Sequence, residues 1–220
     1  MDNRDMKSVS TKQLSIANTV KKYPHESITV LHPNLNEHWL WEASARVRKS
    51  GACGVDGQSH ADYEEGKARR LKDLLRKAQN GSYRAPPVKR LYRPKDGGEM
   101  RGIGIPTCED KILQRVVVML LKLIYEGEFH DFSFALRPGE SPHQALKYLQ
   151  HQCYEQDVAY VLDVDLRNYF NTIDHTHLRE ILHQSVGDGV IARLINKWLK
   201  PASGRTVKCI LPKLAARRVA

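Results

Sequence analysis

Two carboxylates, Asp163 and Asp165, stand two residues apart at the end of the apolar run Val158-Ala159-Tyr160-Val161-Leu162. The run reads as a buried strand, and alternation along a strand sends both acids to one side. Carboxylates brought together repel one another unless a cation or a hydrogen-bond donor compensates. Hard oxygen ligands in such a place suit Mg2+, which keeps several waters and takes one or two carboxylates together with substrate phosphates. A strand end turning into solvent carries the same pattern, and spacing by itself does not separate the two readings.

The counterpart to these acids is an uneven supply of positive charge. The 220 residues hold 35 Lys and Arg against 25 Asp and Glu, a formal net charge of +10. Between Lys67 and Arg101 twelve basic residues face three acids, so this stretch alone carries +9. From Lys67 to Lys77 a solvated helix face explains the charge as well as a ligand does. From Arg84 to Arg101 the basic residues Lys89, Arg90, Arg93, Lys95 and Arg101 are interleaved with Pro86, Pro87, Leu91, Tyr92, Pro94 and Gly97-Gly98. That pattern predicts two short strands and a turn, a cationic hairpin of the kind that meets a nucleic acid or a nucleotide.

The elements that must position these groups are mainly helical. The first thirty residues are polar and weakly patterned, an expected flexible arm. Helical periodicity runs from Asn36 to Lys49, followed by the glycine loop Gly54-Val55-Asp56-Gly57; a second helix is expected over 62–78. Ile112, Val116, Met119, Leu120 and Leu123 define a core helix over 109–125, and Ser141-Pro142 with Gln144 caps another running to about Gln152. Two helices, over 175–184 and 188–199, close an α+β alternation in which helices dominate. The longest apolar run is Val116 to Leu121, short of the roughly 20 residues of a spanning helix. The N-terminus lacks a secretory apolar core, so the expected location is the cytoplasm, without a membrane partner. Cys53, Cys108, Cys153 and Cys209 form no C-x-x-C pair and are expected to remain thiols.

Taken in order, the motifs resemble the reverse transcriptases encoded by group II introns. Asp165-Leu166-Arg167-Asn168-Tyr169-Phe170 followed by Ile173-Asp174-His175 resembles that family's first catalytic motif. Gly54-Val55-Asp56-Gly57 is similar to its fingers glycine loop, and Gly81-Ser82-Tyr83-Arg84-Ala85-Pro86 to its "GTYRP". Arg93-Pro94-Lys95 through Arg101-Gly102-Ile103-Gly104-Ile105-Pro106 is similar to "IPK…RPLGIP", and Asp110-Lys111-Ile112-Leu113-Gln114 to "DRivQ". Ser133-Phe134-Ala135-Leu136-Arg137-Pro138-Gly139 parallels "SYGFRPG". Departures include Gly102 where the family has Pro, Arg93 where it has an aliphatic residue, and Ala135-Leu136 in place of Gly-Phe.

The resemblance implies a reverse-transcriptase-like right-hand polymerase fold, helix-rich, present as fingers and an incomplete palm. Its divisions would be a flexible arm over 1–30, fingers and the start of the palm over 31–155, palm with the first catalytic motif over 156–205, and a tail unlike the family over 206–220. It implies two-metal nucleotidyl transfer with Mg2+. Asp165 would bridge the ions, the Leu166 carbonyl would assist one, and Asp163 ranks behind because its family position varies. Phe170 resembles the ring that excludes a ribonucleotide 2′-hydroxyl, with a core phenylalanine as the alternative. Lys95 and Arg101 resemble the grip on an incoming deoxynucleoside triphosphate. Lys89, Arg90, Arg93 and Arg137 would hold RNA, either intron RNA or a template-primer duplex, with a structural salt bridge as the alternative for Arg137.

The family's "PQG" loop and "YADD" hairpin do not occur before Ala220. Two functions follow from different classes: an RNA-directed DNA polymerase fragment, or a noncatalytic RNA-binding module of the maturase kind. A decayed frame is the third. Leu214-Ala215-Ala216-Arg217-Arg218 can be encoded so that a one-base shift reads Ser-Pro-Gln-Gly-Gly, and a frameshift is the expectation drawn from it.

Overall fold

The computed structural model describes residues 3–23, 26–94, 100–167, 169–199 and 209–210. Lys95 and nearly all of the 206–220 tail lie outside the described residues. The elements in chain order are α1 (Asn3–Lys22), a 3-10 turn (His32–Asn34), α2 (Glu37–Arg46), α3 (His60–Glu64), α4 (Lys67–Gln79), β1 (Lys89–Pro94), β2 (Met100–Ile105), α5 (Cys108–Tyr125), α6 (Pro142–Glu155), α7 (Tyr169–Thr172), α8 (His175–Ser185), α9 (Gly189–Leu199) and β3 (Cys209–Ile210).

Helix α5 is the centre of the core. Its Ile112, Leu113, Val116 and Leu120 have no exposed surface, and α1, α2 and α4 pack on it. Trp39, Leu40 and Ala43 of α2, Leu71, Leu74 and Ala78 of α4, and Ile191 and Leu194 of α9 belong to the same cluster. The ends are capped as their sequences dictate. Asn36 accepts from Trp39 N at the start of α2, Thr107 from Asp110 N at α5, and Ser141 from Gln144 N at α6.

Three expectations are corrected. Residues expected as an arm form α1, because Ile16 and Val20, one turn apart, find the core through an otherwise polar helix. The single helix expected over 62–78 is two: Gly66 adopts φ +70°, breaking the chain between α3 and α4, and α3 has its own capping box of Ser59 and Asp62. The expected buried strand over 158–162 is absent. Tyr160 and Leu162 are 92% and 87% exposed, and among the described residues no strand lies beside them to share a ladder.

The hairpin is present. β1 and β2 pair antiparallel from Lys89 opposite Ile105 to Pro94 opposite Met100, and β3 joins the other edge of β1 in parallel.

Candidate nucleic-acid interface and catalytic segment

Register decides which cations of the hairpin act together. Residues directly opposite share a face, so Arg93 and Arg101 stand side by side, in line with the Leu91–Ile103 and Lys89–Ile105 pairs. Both arginines are exposed, while Lys89 is half-buried. Arg90 belongs to the opposite face with Tyr92. There the strand β2 offers glycine, and a Cβ at Gly102 would meet Arg90 Nε at 3.3 Å and Tyr92 Cε1 at 3.4 Å. The departure from the family's Arg-Pro thus gives two long side chains a flat bed. Arg93, Arg101 and Lys89 are brought to one face; Arg90 is separated from them.

The hairpin's base is fixed by the glycine loop. A Cβ at Gly54 would lie 2.6 Å from Thr107 Cα and 2.9 Å from the Pro106 carbonyl, so only glycine lets the loop press on the exit of β2. Lys111 Nζ donates to the Ala52 carbonyl at 2.7 Å and clamps the loop to α5. On the entry side, Lys197 Nζ donates to the carbonyls of Gly81 (2.6 Å) and Tyr83 (2.5 Å). Burial and the neighbouring Arg193 and Arg84 lower the Lys197 pKa.

A buried network ties these strands to the core. The Tyr83 hydroxyl donates to Asp110, which also accepts from Trp198 Nε1 at 2.8 Å and Gln114 Nε2 at 3.0 Å. Burial and the Asp110 charge push the Tyr83 pKa well above its usual value. In the sequence Tyr83, Asp110 and Gln114 are visible as motif letters, but not as members of one network. The i to i+4 spacing of Asp110 and Gln114 is the available signal; nothing in the sequence announces Trp198.

The helical cations 67–77 are largely spoken for. Lys67 Nζ bonds Glu64 at 2.9 Å and lies over the Trp41 ring, Arg76 and Lys77 both reach Asp73, and Arg70 donates to Gln58. Arg137 takes its structural alternative: Nε meets Glu126 Oε1 at 2.8 Å, and Nη1 donates to the carbonyls of His130 (2.9 Å) and Ser133 (3.0 Å). It closes the loop between α5 and α6, the structural role expected as the alternative to an RNA contact.

Asp163 and Asp165 lie on an exposed, irregular segment. The Leu166 carbonyl accepts from Tyr169 N at 3.4 Å, turning the chain into the four-residue α7. Phe170 is 85% exposed, its ring 5.4 Å from that of Tyr169, and it does not pack into the core that the described residues form. Asp174 caps α8 by accepting from the Thr176 and His177 amides, and these bonds hold its pKa below the usual carboxylate value. The donor type of Asp163 and Asp165 fits Mg2+. Their number falls short of an enclosed site: no group of three or more Asp, Glu, His or Cys assembles among the described residues.

A family model described as reverse transcriptase (RNA-dependent DNA polymerase) matches residues 93–213, which include the end of β1, all of β2, the core helix and the acidic segment. The chain belongs to the reverse transcriptase family. Its relatives bear out the group II intron type read from the ordered motifs. Group II intron-encoded protein LtrA of Lactococcus lactis subsp. cremoris is 33% identical over 132 residues, 60% of this chain and 22% of that protein. Protein YkfC of Escherichia coli (strain K12) is 32% identical over 168 residues, 74% of this chain and 44% of that protein. Nuclear intron maturase 1 of Arabidopsis thaliana is 23% identical over 108 residues, 49% of this chain and 15% of that protein. The chain spans less than half the length of each of these relatives. No helix among the described residues is long and apolar enough to cross a membrane.

Proposed function

We propose that this chain forms the RNA-gripping fingers and the opening of the palm of a group II intron-type RNA-directed DNA polymerase. The observation that carries the reading is the Arg93–Arg101 pair. Like charges directly opposite on neighbouring strands weaken a hairpin. A phosphate between them turns that cost into two charge-assisted contacts, for which the guanidinium fork is well shaped. The ligand is RNA, as intron RNA or a template-primer duplex, and Arg101 with Lys95 meets the triphosphate of an incoming deoxynucleotide in the complete protein. There Asp165, the Leu166 carbonyl and Asp163 hold Mg2+, which supplies charge stabilisation of the attacking and leaving oxygens. Phe170, already exposed, limits the space at the sugar.

The test is filter binding of RNA across a salt series. Neutralising Lys89, Arg90, Arg93 and Lys95 together should weaken binding and flatten the log-log slope by about 0.7 to 0.9 for each phosphate no longer neutralised. A variant with the parental slope would show that these four residues neutralise no RNA phosphate and would overturn the Arg93–Arg101 grip.

A noncatalytic, maturase-like RNA-binding role is the second reading, supported by the exposed carboxylates with no third ligand beside them among the described residues. Primer extension by the purified chain, abolished in Asp165→Ala, decides for polymerisation.

A further inference from the structure

Away from the hairpin, the C-terminal exit of α2 and one face of α5 enclose a groove of about 340 Å³. Arg48 comes from the exit; Lys111 and Arg115 come from α5, one turn or about 6 Å apart. Gln114 lies between Lys111 and Arg115 in the wall, and Val47 and Val118 give the groove an apolar flank. Among the described residues no acid lines it. Asp110, the acid nearest in sequence to Lys111, is buried and occupied by Tyr83, Trp198 and Gln114. Arg48 Nε donates to Ser50 Oγ and Lys111 Nζ to the Ala52 carbonyl, and among the described residues no carboxylate pairs with Arg48, Lys111 or Arg115. Gly51 keeps the entrance low, since a Cβ there would stand 3.1 Å from the Arg48 carbonyl.

A concave wall of one sign focuses its field on an opposite charge. Three cations at successive positions along a groove, with an apolar flank for a sugar face, match the repeated charge of a phosphodiester chain better than a single small anion. We propose that this groove is a second RNA site, where Arg48, Lys111 and Arg115 hold the backbone of a single strand. It extends the RNA-binding reading but rests on residues that the hairpin does not contain.

The experiment uses the full chain and a labelled oligouridylate, with binding measured across a potassium chloride series. Arg48→Gln combined with Arg115→Gln should lower the log-log slope by about 1.4, or about 0.7 for each phosphate of a single strand. The pair Arg48→Lys with Arg115→Lys should keep the parental slope. Thermal melting shows whether the variants are folded; if the double Gln variant melts early, the exposed Arg48→Glu change carries the test, with a slope decrease of about 0.7 or more expected. A folded charge-neutral variant with the parental slope overturns the proposal. So does complete release of the RNA by inorganic phosphate at matched ionic strength, which marks a small-anion site. Binding of phosphatidylserine vesicles through Arg48 and Arg115 in place of RNA overturns it as well. A hairpin variant at the parental slope beside a groove variant below it refutes the hairpin reading and leaves the groove standing; the reverse result does the opposite.

Discussion

Replacing Asp188 should unfasten the N-terminal segment from the last helix. Its carboxylate is 1% exposed and accepts from Leu31 N and His32 N, both at 2.7 Å, and from His32 Nδ1 at 3.0 Å. The other oxygen caps α9 through Val190 N (2.9 Å) and Ile191 N (3.1 Å). In Asp188→Ala the buried Leu31 and Ile191 amides are left without their acceptor, at about 1–3 kcal/mol each. A destabilisation near 4 kcal/mol, about the middle of that range for the two together, lowers Tm by roughly 8–16 °C for a chain of this size. Asp188→Asn keeps one accepting oxygen and should fall about midway. Burial would raise the Asp188 pKa, but the amides of His32, Ile191 and Leu31 and the His32 side chain outweigh it and the folded value is lowered. The carboxylate therefore stabilises the fold above the unfolded Asp value of about 3.9, and that contribution fades as pH falls through the lower folded value. Circular dichroism melts from pH 7 to pH 3 read both effects. An Asp188→Ala chain melting within about 2 °C of the parent at pH 7 would refute the reasoning.

Tyr83→Phe removes a buried donor from the Asp110 carboxylate and should cost about 1.5–3 kcal/mol in urea unfolding. Gly54→Ala places a methyl against Thr107 backbone and should cost about 1–3 kcal/mol, read as a lower denaturant midpoint. Arg93→Gln with Arg101→Gln should raise hairpin stability slightly while reducing RNA affinity, a divergence that melting and filter binding detect together. Leu162→Lys should leave stability within about 0.5 kcal/mol and raise solubility, because the side chain already faces water.

How far the sequence discloses the fold depends on whether each signal is local. The caps Asn36, Thr107, Ser141 and Asp174 act within three residues of themselves, and all four stand where their helices begin. The apolar period of α5 likewise needs no partner to be seen. The hairpin is legible from its turn chemistry, but the pairing of Arg93 with Arg101 depends on register, which charge spread along both strands does not reveal. The 158–162 run departs from expectation because an apolar run states only a capacity to pair, and a strand needs a neighbour to realise it. Helix α1 leaves little trace in the sequence because Ile16 and Val20 are too few to make a stripe along a largely polar helix. Among the site residues, Phe170 and the two acids are exposed, while Arg137 is a motif arginine bonded to its own loop.

The Asp188 fastening also sets an order in time. Leu31 and Asp188 are 157 residues apart in sequence, and the Ile28–Val186 bridge spans a similar distance. At roughly 5–20 residues per second of synthesis, the first stretch of backbone waits about 8–30 s for its acceptor to be made. Through that interval the 26–35 segment has neither the Asp188 acceptor nor the bridge, and Leu31 and Leu35 must wait beside a half-built core. Closure of this core is thus a late event in the life of the chain, and a substitution at Asp188 should slow maturation more than it alters the helices already formed.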